Sequence, residues 1–331
     1  MIIHEKIGSI VSHPDGTQIP VESYRLYNGQ GLAIEVWTYG ATLVEVLVPD
    51  RHGRLDNVVV RLPDLGAYLD PVRNPYIGST LGRYCRCVAQ GRFSLDGHVY
   101  ELDRNEGHHH FHGGSHGFDK KVWSAEVVEA EDGPAIFMRL ESPDGDQGYP
   151  GALSATCRYL VTRDGQLVID HTATTTASTV VGLTSHAFWN LAGKGLISGH
   201  ELALSSSRVV MFDDELIPLR KPPQSMAGTE LDFTRLRPID SARLDHYYAL
   251  DDNSALAAEL HDPASGRRMV VTTDHPGLGV YSGDGLPHPR AGLCLQPSAW
   301  PDAPNRPDFP SVRLDPGSTY RQRTVFDFSV E

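Results

Sequence analysis

The chain has little cysteine and no long apolar run. Residues 1–6 show no basic region followed by an apolar stretch, and nothing approaches the roughly 18 apolar residues of a membrane helix. Only four of the 331 residues are cysteines, and the one close pair, Cys85 and Cys87, is not spaced as a usual zinc motif. We therefore expect a soluble, cytoplasmic protein with free thiols and no disulfide framework.

Positive charge is also in deficit. The chain carries 42 Asp and Glu against 29 Lys and Arg, a formal net charge of −13. Such an excess makes nonspecific attraction to nucleic acid or to an anionic membrane unfavourable. We expect neither as a partner and assign the charge to solubility.

Sustained helical periodicity is scarce, whereas turn signals are frequent. Only residues 64–70 and 239–244 are candidates for short helices. Short runs of β-branched and aliphatic residues, such as 32–36 and 42–48, alternate with turn dipeptides. These dipeptides predict hairpins at Asp96-Gly97 and Asp164-Gly165 and further turns at Asp15-Gly16, Asn28-Gly29 and Asp132-Gly133.

Together these patterns predict an all-β fold. Many strands without alternating helices indicate antiparallel sheets packed face to face. No low-complexity linker or internal repeat divides the chain. We therefore predict one domain over residues 1–331.

Three loop-like segments, residues 105–114, 183–193 and 294–303, combine histidine, aromatic and small residues that a β-core does not require. Histidines such as His112 and His186 can exchange protons near neutral pH. Gly113 and Gly114 permit backbone conformations and a close ligand approach that larger residues forbid. The run of three histidines at 108–110 does not predict a metal site, because adjacent side chains cannot all aim at one ion.

The order of these segments and several shorter motifs resembles that of the aldose 1-epimerases, also called galactose mutarotases. The further matches are Gly40-Ala41-Thr42-Leu43, Gly82-Arg83, the decapeptide from Ser142 to Gly151, and Leu244-Asp245-His246. The resemblance implies a large antiparallel β-sandwich, a galactose mutarotase-like supersandwich, with its site in an open cleft. It also implies interconversion of the anomers of a small sugar without a metal or cofactor, in a monomer or homodimer.

The resemblance assigns roles to individual residues. Family members use a glutamate as base and a histidine as acid, and His186 matches that acid. His112 matches a second histidine and Asp245 a sugar-binding aspartate. We expect the two histidines to face each other across a sugar-sized pocket. Arg83 is left open between ligand contact and a structural salt bridge, and Phe188 and Trp300 between sugar stacking and core packing.

Two motifs depart from the family pattern. The glutamate of the family falls on Gln296, while Arg86 and Cys87 stand where an asparagine and an arginine are usual; Ser298 replaces Gln or His. A glutamine side chain cannot accept a proton as a general base, and loss of a positioned base costs about 10²–10⁴-fold in rate. The resemblance therefore implies a divergent member, with Gln296, Arg86 and Cys87 as ligand contacts. Whether Gln296 is natural or engineered stays open.

Three functions remain open on this evidence. The first is slower mutarotation, with a relocated base and proton transfer by the histidines. The second is another isomerisation, cyclisation or elimination on an unusual sugar or natural product. The third is a non-catalytic carbohydrate-binding or regulatory protein. Asp302 is a candidate replacement base, although a loop cap is the simpler interpretation, and Cys87 is more readily a passive thiol than a nucleophile.

Overall fold

The computed structural model describes residues 1–11, 17–250 and 255–331, so the predicted turn at Asp15-Gly16 lies outside the described residues. In the first half of the chain the strands are β1 Ile2–Val11, β2 Gln18–Tyr27, β3 Ala33–Trp37, β4 Thr42–Pro49, β5 Leu55–Asn57, β6 Thr80–Leu81, β7 Cys87–Val88, β8 Arg92–Leu95, β9 His98–Glu101, β10 His110–Phe111, β11 Ser124–Ala130, β12 Gly133–Ser142 and β13 Leu153–Val161. In the second half they are β14 Gln166–Thr175, β15 Thr179–Val180, β16 Thr184–Ser185, β17 Phe188–Trp189, β18 Glu201–Leu204, β19 Arg208–Val210, β20 Gln224–Ser225, β21 Arg237–Pro238, β22 Asp245–Ala249, β23 Leu256–Asp262, β24 Arg267–Thr273, β25 Gly277–Tyr281, β26 Leu293–Ser298, β27 Arg313–Leu314 and β28 Tyr320–Val330.

Helix is confined to short pieces. The α-helix α1, Leu65–Leu69, begins at Asp64, whose carboxylate accepts a hydrogen bond from the amide of Ala67 at 2.9 Å, so the first predicted helix is confirmed. The described residues include 3₁₀ turns at Ala89–Gly91, Phe118–Lys120, Asp146–Gly148, Ile197–Gly199 and Ala303–Asn305. Within the described parts of the chain, no helix has the length and apolarity to cross a bilayer.

The second predicted helix, at residues 239–244, is wrong. The amides of Ile239 and Asp240 donate instead to the carbonyls of His200 and Ser198. Asp240 also has a left-handed backbone, with φ of 47°, which a helix does not accept. Tertiary hydrogen bonds have therefore replaced the local helical pattern.

Three antiparallel sheets form the body of the fold, as predicted. Their strand orders are β1-β2-β3-β4-β5, then β11-β12-β13-β14-β28-β24-β23-β18-β21, and β17-β26-β25-β22-β19-β20. Both predicted hairpins are present, as β8–β9 and β13–β14. In the first, Asp96 and Gly97 have φ of 51° and 81°, the positive pair that a tight two-residue hairpin turn needs.

The sheets share one apolar core. It includes Val36 and Leu43 from the first sheet, Ile136 from the second, and Val280 and Leu295 from the third, each essentially shielded from water. Strands such as β24 alternate buried and partly exposed residues, as one-sided packing requires. The single domain over residues 1–331 stays a prediction, which this shared core supports.

Candidate active site

The two histidines lie where short strand pairs meet the six-stranded sheet. His112 directly follows β10, which pairs with β7, and His186 lies in the turn between β16 and β17. The amide of His186 donates to the carbonyl of Ser79, and its carbonyl accepts from Gly78, each at 2.9 Å. The peptide unit of His186 is therefore fixed on both sides by the loop that precedes β6.

The imidazole rings of His112 and His186 are in contact. Their centroids are 5.3 Å apart and their planes are nearly perpendicular, at 87°. This is the separation of an edge-to-face ring pair, so no sugar fits between them. The expectation that the two histidines face each other across a pocket is therefore wrong, because the two rings pack directly against each other.

Each ring has a partner at Nδ1. The backbone N–H of Arg86 donates to Nδ1 of His112 at 3.0 Å, while the carbonyl of Arg86 accepts from the amide of His112. Because Nδ1 of His112 accepts, the neutral ring carries its proton on Nε2. In His186, Nδ1 lies 3.6 Å from Sγ of Cys294. In both rings Nε2 is thus the nitrogen left for a ligand.

Burial keeps both rings neutral. The pKa of His186 is lowered to about 4, chiefly by burial and further by the nearby charge of Arg86. Burial lowers the pKa of His112 well below its ordinary range, and the proximity of His186, Arg86 and Lys120 adds to this. At neutral pH both rings are uncharged, and the imidazolium form of either is scarce.

Tyr76 packs against both imidazole rings and was missed from the sequence. Its ring packs edge-on against His112 at 4.8 Å and lies 6.1 Å from His186, and Lys120 Nζ sits 5.1 Å from the ring centre. Burial raises the pKa of its hydroxyl. Its only signal in the sequence is its place between Pro75 and Gly78 in a loop, which does not distinguish it from other loop tyrosines.

A small cavity of about 40 Å³ gathers several predicted residues, and Phe111 in its lining packs on the His112 ring with centroids 3.8 Å apart. Arg86, Cys87 and Asp245 line it, with the previously unpredicted Phe111, Phe212, Leu216 and Pro301. Arg86 is half-buried and its guanidinium lies over the Tyr247 ring at 5.6 Å. Cys87 is buried, its thiol donates to the carbonyl of Leu216 at 3.3 Å, and burial raises its pKa to about 12. These contacts favour the passive thiol.

Gln296 stands on β26 opposite Gly279 of β25 and is 1% exposed. Its Oε1 and an Arg86 guanidinium nitrogen approach the place where a side chain on Gly279 would begin, to within 3.3 and 3.5 Å. Its Nε2 has no hydrogen-bond partner within the part of the chain that the structure describes. A buried amide donor without a partner costs about 1–3 kcal/mol unless a ligand accepts from it.

Arg83 has no free donor for a ligand. Its five guanidinium N–H groups are directed at the Ser142 hydroxyl and at the carbonyls of Ser142, Pro143, Pro150 and Gly151, at 2.7–3.1 Å. The side chain is 1% exposed. This geometry favours the structural interpretation, with backbone carbonyls as partners in place of a salt bridge.

The two aromatic candidates also have packing partners. Phe188 is 1% exposed and lies behind His186, with ring centres 5.0 Å apart. The indole N–H of Trp300 donates to the carbonyl of Pro276 at 3.0 Å, and its ring packs on Phe309. For both residues these contacts favour packing over stacking on a sugar.

Asp302 and the histidine run have local partners. The carboxylate of Asp302 accepts from the amide of Ala89 and from Asn305, as a loop cap does. His110 is held between the carbonyl of Asp103 and the Tyr149 hydroxyl, while His109 Nδ1 accepts from the amide of Gln90. In the residues that the structure describes, no three His, Cys, Asp or Glu side chains are grouped to hold a metal ion.

Glycine beside His112 is required by close packing. A side chain on Gly113 would begin 1.8 Å from the carbonyl oxygen of Gly82, and Gly113 has φ of 93°. Around the pocket, Tyr76, Arg86 and His112 also have positive φ, of 61°, 66° and 51°. Such strained backbone is typical of functional sites.

Comparison with known proteins agrees with this architecture. The crystal structure of a GalM/aldose epimerase homologue from C. elegans superimposes with a TM-score of 0.86 at 26% identity, covering 92% of this chain and 98% of that one. Galactose 1-epimerase from Lactobacillus acidophilus gives a TM-score of 0.85 at 24% identity, covering 100% and 99%. The fold is therefore that of the galactose mutarotase-like β-sandwich class.

Sequence relationships define the family. The family model described as aldose 1-epimerase matches residues 22–327. The galactose mutarotase of Bos taurus is 35% identical over 334 residues, covering 94% of both chains. The aldose 1-epimerase of Escherichia coli K12 is 31% identical over 345 residues, covering 96% of this chain and 97% of that one. The chain belongs to the aldose 1-epimerase family.

Proposed function

We propose that this chain is an isomerase that interconverts the anomers of a cyclic sugar, with His186 as its proton-transferring group. The observation that carries the proposal is the asymmetry of the histidine pair. His112 is held as the Nε2–H form by the Arg86 amide, so its free nitrogen can only donate. His186 has no such backbone donor at either ring nitrogen and is neutral at pH 7.

The reaction begins with transfer of the anomeric hydroxyl proton to Nε2 of His186. As the C1–O1 bond gains double-bond character, the bond between C1 and the ring oxygen breaks and its electron pair stays on that oxygen. The imidazolium of His186 then returns the proton to the ring oxygen, giving the open-chain aldehyde. Rotation about C1–C2 and reversal of the steps yield the other anomer, with no net gain or loss of protons.

Stabilisation of the ring oxygen is assigned to two donors. The Nε2–H of His112 and the guanidinium of Arg86 supply hydrogen bonds where negative charge develops. Gln296 stands where the family resemblance places a glutamate, and its amide orients the sugar but accepts no proton. Asp245, exposed at the pocket edge, binds sugar hydroxyls.

Polarimetry on freshly dissolved α-D-galactose and α-D-glucose tests this function. We expect the wild-type chain to accelerate mutarotation and His186→Gln to lose about 10²–10⁴-fold of that acceleration. His98→Gln, a change at an exposed position on β9, serves as the matched control and should leave the rate unchanged. Calorimetric binding of sugars without any acceleration would contradict the isomerase and identify a sugar-binding protein.

A further inference from the structure

Arg86 lines the pocket together with Asp245 but forms no ion pair with it. No ion pair among the described residues includes it, although 29 Lys and Arg share the chain with 42 Asp and Glu. Its guanidinium instead packs over the aromatic ring of Tyr247. A half-buried guanidinium that lacks a carboxylate is poorly compensated for the water it has lost, which favours a ligand carrying negative charge.

The side chain of Gln296 lies beside it. Its Oε1 and an Arg86 guanidinium nitrogen lie 3.3 and 3.5 Å from the place where a side chain on Gly279 would begin, and its Nε2 is buried with no partner among the described residues. Because Gly279 has no side chain, both groups can lie against β25 at this position. One carboxylate can accept a charge-assisted hydrogen bond from Arg86 and another hydrogen bond from Gln296.

We propose that the sugar bound at this site carries a carboxylate, which Arg86 and Gln296 hold together. This inference rests on the proposed function only for the sugar ring, since the two donors are observed independently of catalysis. A carboxylate also explains why a neutral amide stands at position 296: a carboxylate side chain there would repel the ligand.

The other charged side chains around the pocket fit a ligand that carries one negative charge. Lys120 is already paired with Asp119 at 2.7 Å, so Arg86 is the cation available to a ligand. Asp245 lines the pocket but is exposed, where water and salt screen its charge. One unpaired cation matches a carboxylate better than a phosphate group, which carries about −1.5 to −2.

The test compares sugars that differ only in the acid group. Anomer exchange is followed by NMR for D-galactose and D-galacturonate and for D-glucose and D-glucuronate, and dissociation constants are measured by calorimetry for each pair. We expect KM and Kd to be roughly 10- to 100-fold lower for the acid of each pair. An ulosonic acid, whose carboxylate is on the anomeric carbon, tells whether Arg86 reads that end of the sugar or the C6 end; galactose 6-phosphate tests the alternative anion.

Three variants test Arg86 and Gln296. The quantity compared is the ratio of the affinity for the acid sugar to that for the neutral sugar, because a general loss of activity does not change this ratio. Arg86→Met should bring the ratio to about one, whereas Arg86→Lys should keep part of it. Gln296→Glu should reverse the preference by adding a carboxylate. Arg313→Met, which removes an arginine from the exposed β27 cluster with Asp96 and Asp315, is the matched control and should keep the wild-type ratio.

The outcomes separate this inference from the proposed function. Equal affinity for acid and neutral sugars overturns the inference even where both are turned over. Preferred binding of an acid without anomer exchange supports the inference and contradicts the isomerase. Tighter binding of galactose 6-phosphate than of any carboxylate, or a ratio that Arg86→Met does not change, also overturns the inference.

Discussion

The backbone N–H of Arg86 donates a hydrogen bond to Nδ1 of His112 at 3.0 Å. This contact fixes the tautomer of His112, and in the proposed mechanism His186 is then the proton acceptor. His112 has a left-handed backbone, φ 51°, and its ring meets Arg86, the residue before β7. In that mechanism the two histidines differ in role because only His112 is held by a backbone amide.

Replacing His112 should show this division. The side-chain oxygen of Asn can accept from the Arg86 amide at about the position of Nδ1, and Asn tolerates positive φ. The free energy of unfolding of His112→Asn should therefore be within about 1 kcal/mol of the wild-type value. His112→Leu leaves that amide without a partner and has a branched side chain at positive φ, which costs about 1–3 kcal/mol. Urea unfolding measures both. Equal stabilities would show that the Arg86 contact does not hold His112.

Much of the fold follows from residues whose signals are local. Asp96-Gly97 and Asp164-Gly165 specify their hairpins because positive φ is required there, and Asp64 begins the one predicted helix that exists. Residues 239–244 have helical spacing, but tertiary hydrogen bonds to the turn at residues 197–199 and its neighbour His200 outweigh it. A local pattern cannot reveal that competition.

The site was predicted less completely for a related reason. His112, His186, Arg86 and Asp245 are near one another because motifs far apart in sequence meet at one end of the sheet. The family motifs locate such residues, but not the direction of their side chains. The contact between the two imidazoles, and the place of Tyr76 against both, depend on loop conformations that no short pattern specifies.

Arg83 should govern stability more than ligand affinity. Arg83→Met leaves the hydroxyl of Ser142 and four carbonyls of the 142–151 loop without their donor, so the free energy of unfolding should fall by roughly 3 kcal/mol or more. Arg83→Lys, with three donors in place of five, should recover part of this. Chemical unfolding is the measurement. A higher KM with unchanged stability would instead place Arg83 in the ligand site.

The four cysteines should be inert in the native protein. All are buried as free thiols, and burial raises the pKa of Cys85, Cys87 and Cys157 to about 12, so the thiolate is scarce at pH 8. We expect no reaction with a thiol reagent over minutes in buffer and reaction of all four in guanidinium. Rapid labelling of Cys87 in the folded protein would reveal an activated nucleophile.

Buried histidines should make the fold sensitive to mild acid. His110, His171 and His186 have pKa values lowered to about 4 by burial, whereas the unfolded chain protonates them near 6.5. The unfolded state therefore binds more protons than the native state below pH 6.5. As the pH falls from 6.5 to 4, each histidine should lower the free energy of unfolding by roughly 1.4 kcal/mol per pH unit.

Urea unfolding at pH 7 and pH 5 checks this effect. His171 is remote from the pocket and forms a hydrogen bond with Gln322 at 2.7 Å. The free energy of unfolding should differ less between pH 7 and pH 5 in His171→Gln, by the contribution of this one histidine. The free energy of unfolding of His171→Gln at pH 7 shows how much the substitution itself disturbs packing. Unfolding energies that are the same at both pH values would refute the neutral, buried state of these rings.

The pH–rate profile of mutarotation tests the central claim most directly, because His186 must be neutral to accept a proton. Its pKa is lowered to about 4, so it is deprotonated throughout the range above that value. We expect the enzymatic contribution to kcat/KM to be level from about pH 8 down to 5, to reach half its maximum near pH 4, and to be absent from His186→Gln. A half-maximum near pH 6.5, at a pH where the urea measurements show the protein still folded, would contradict the account.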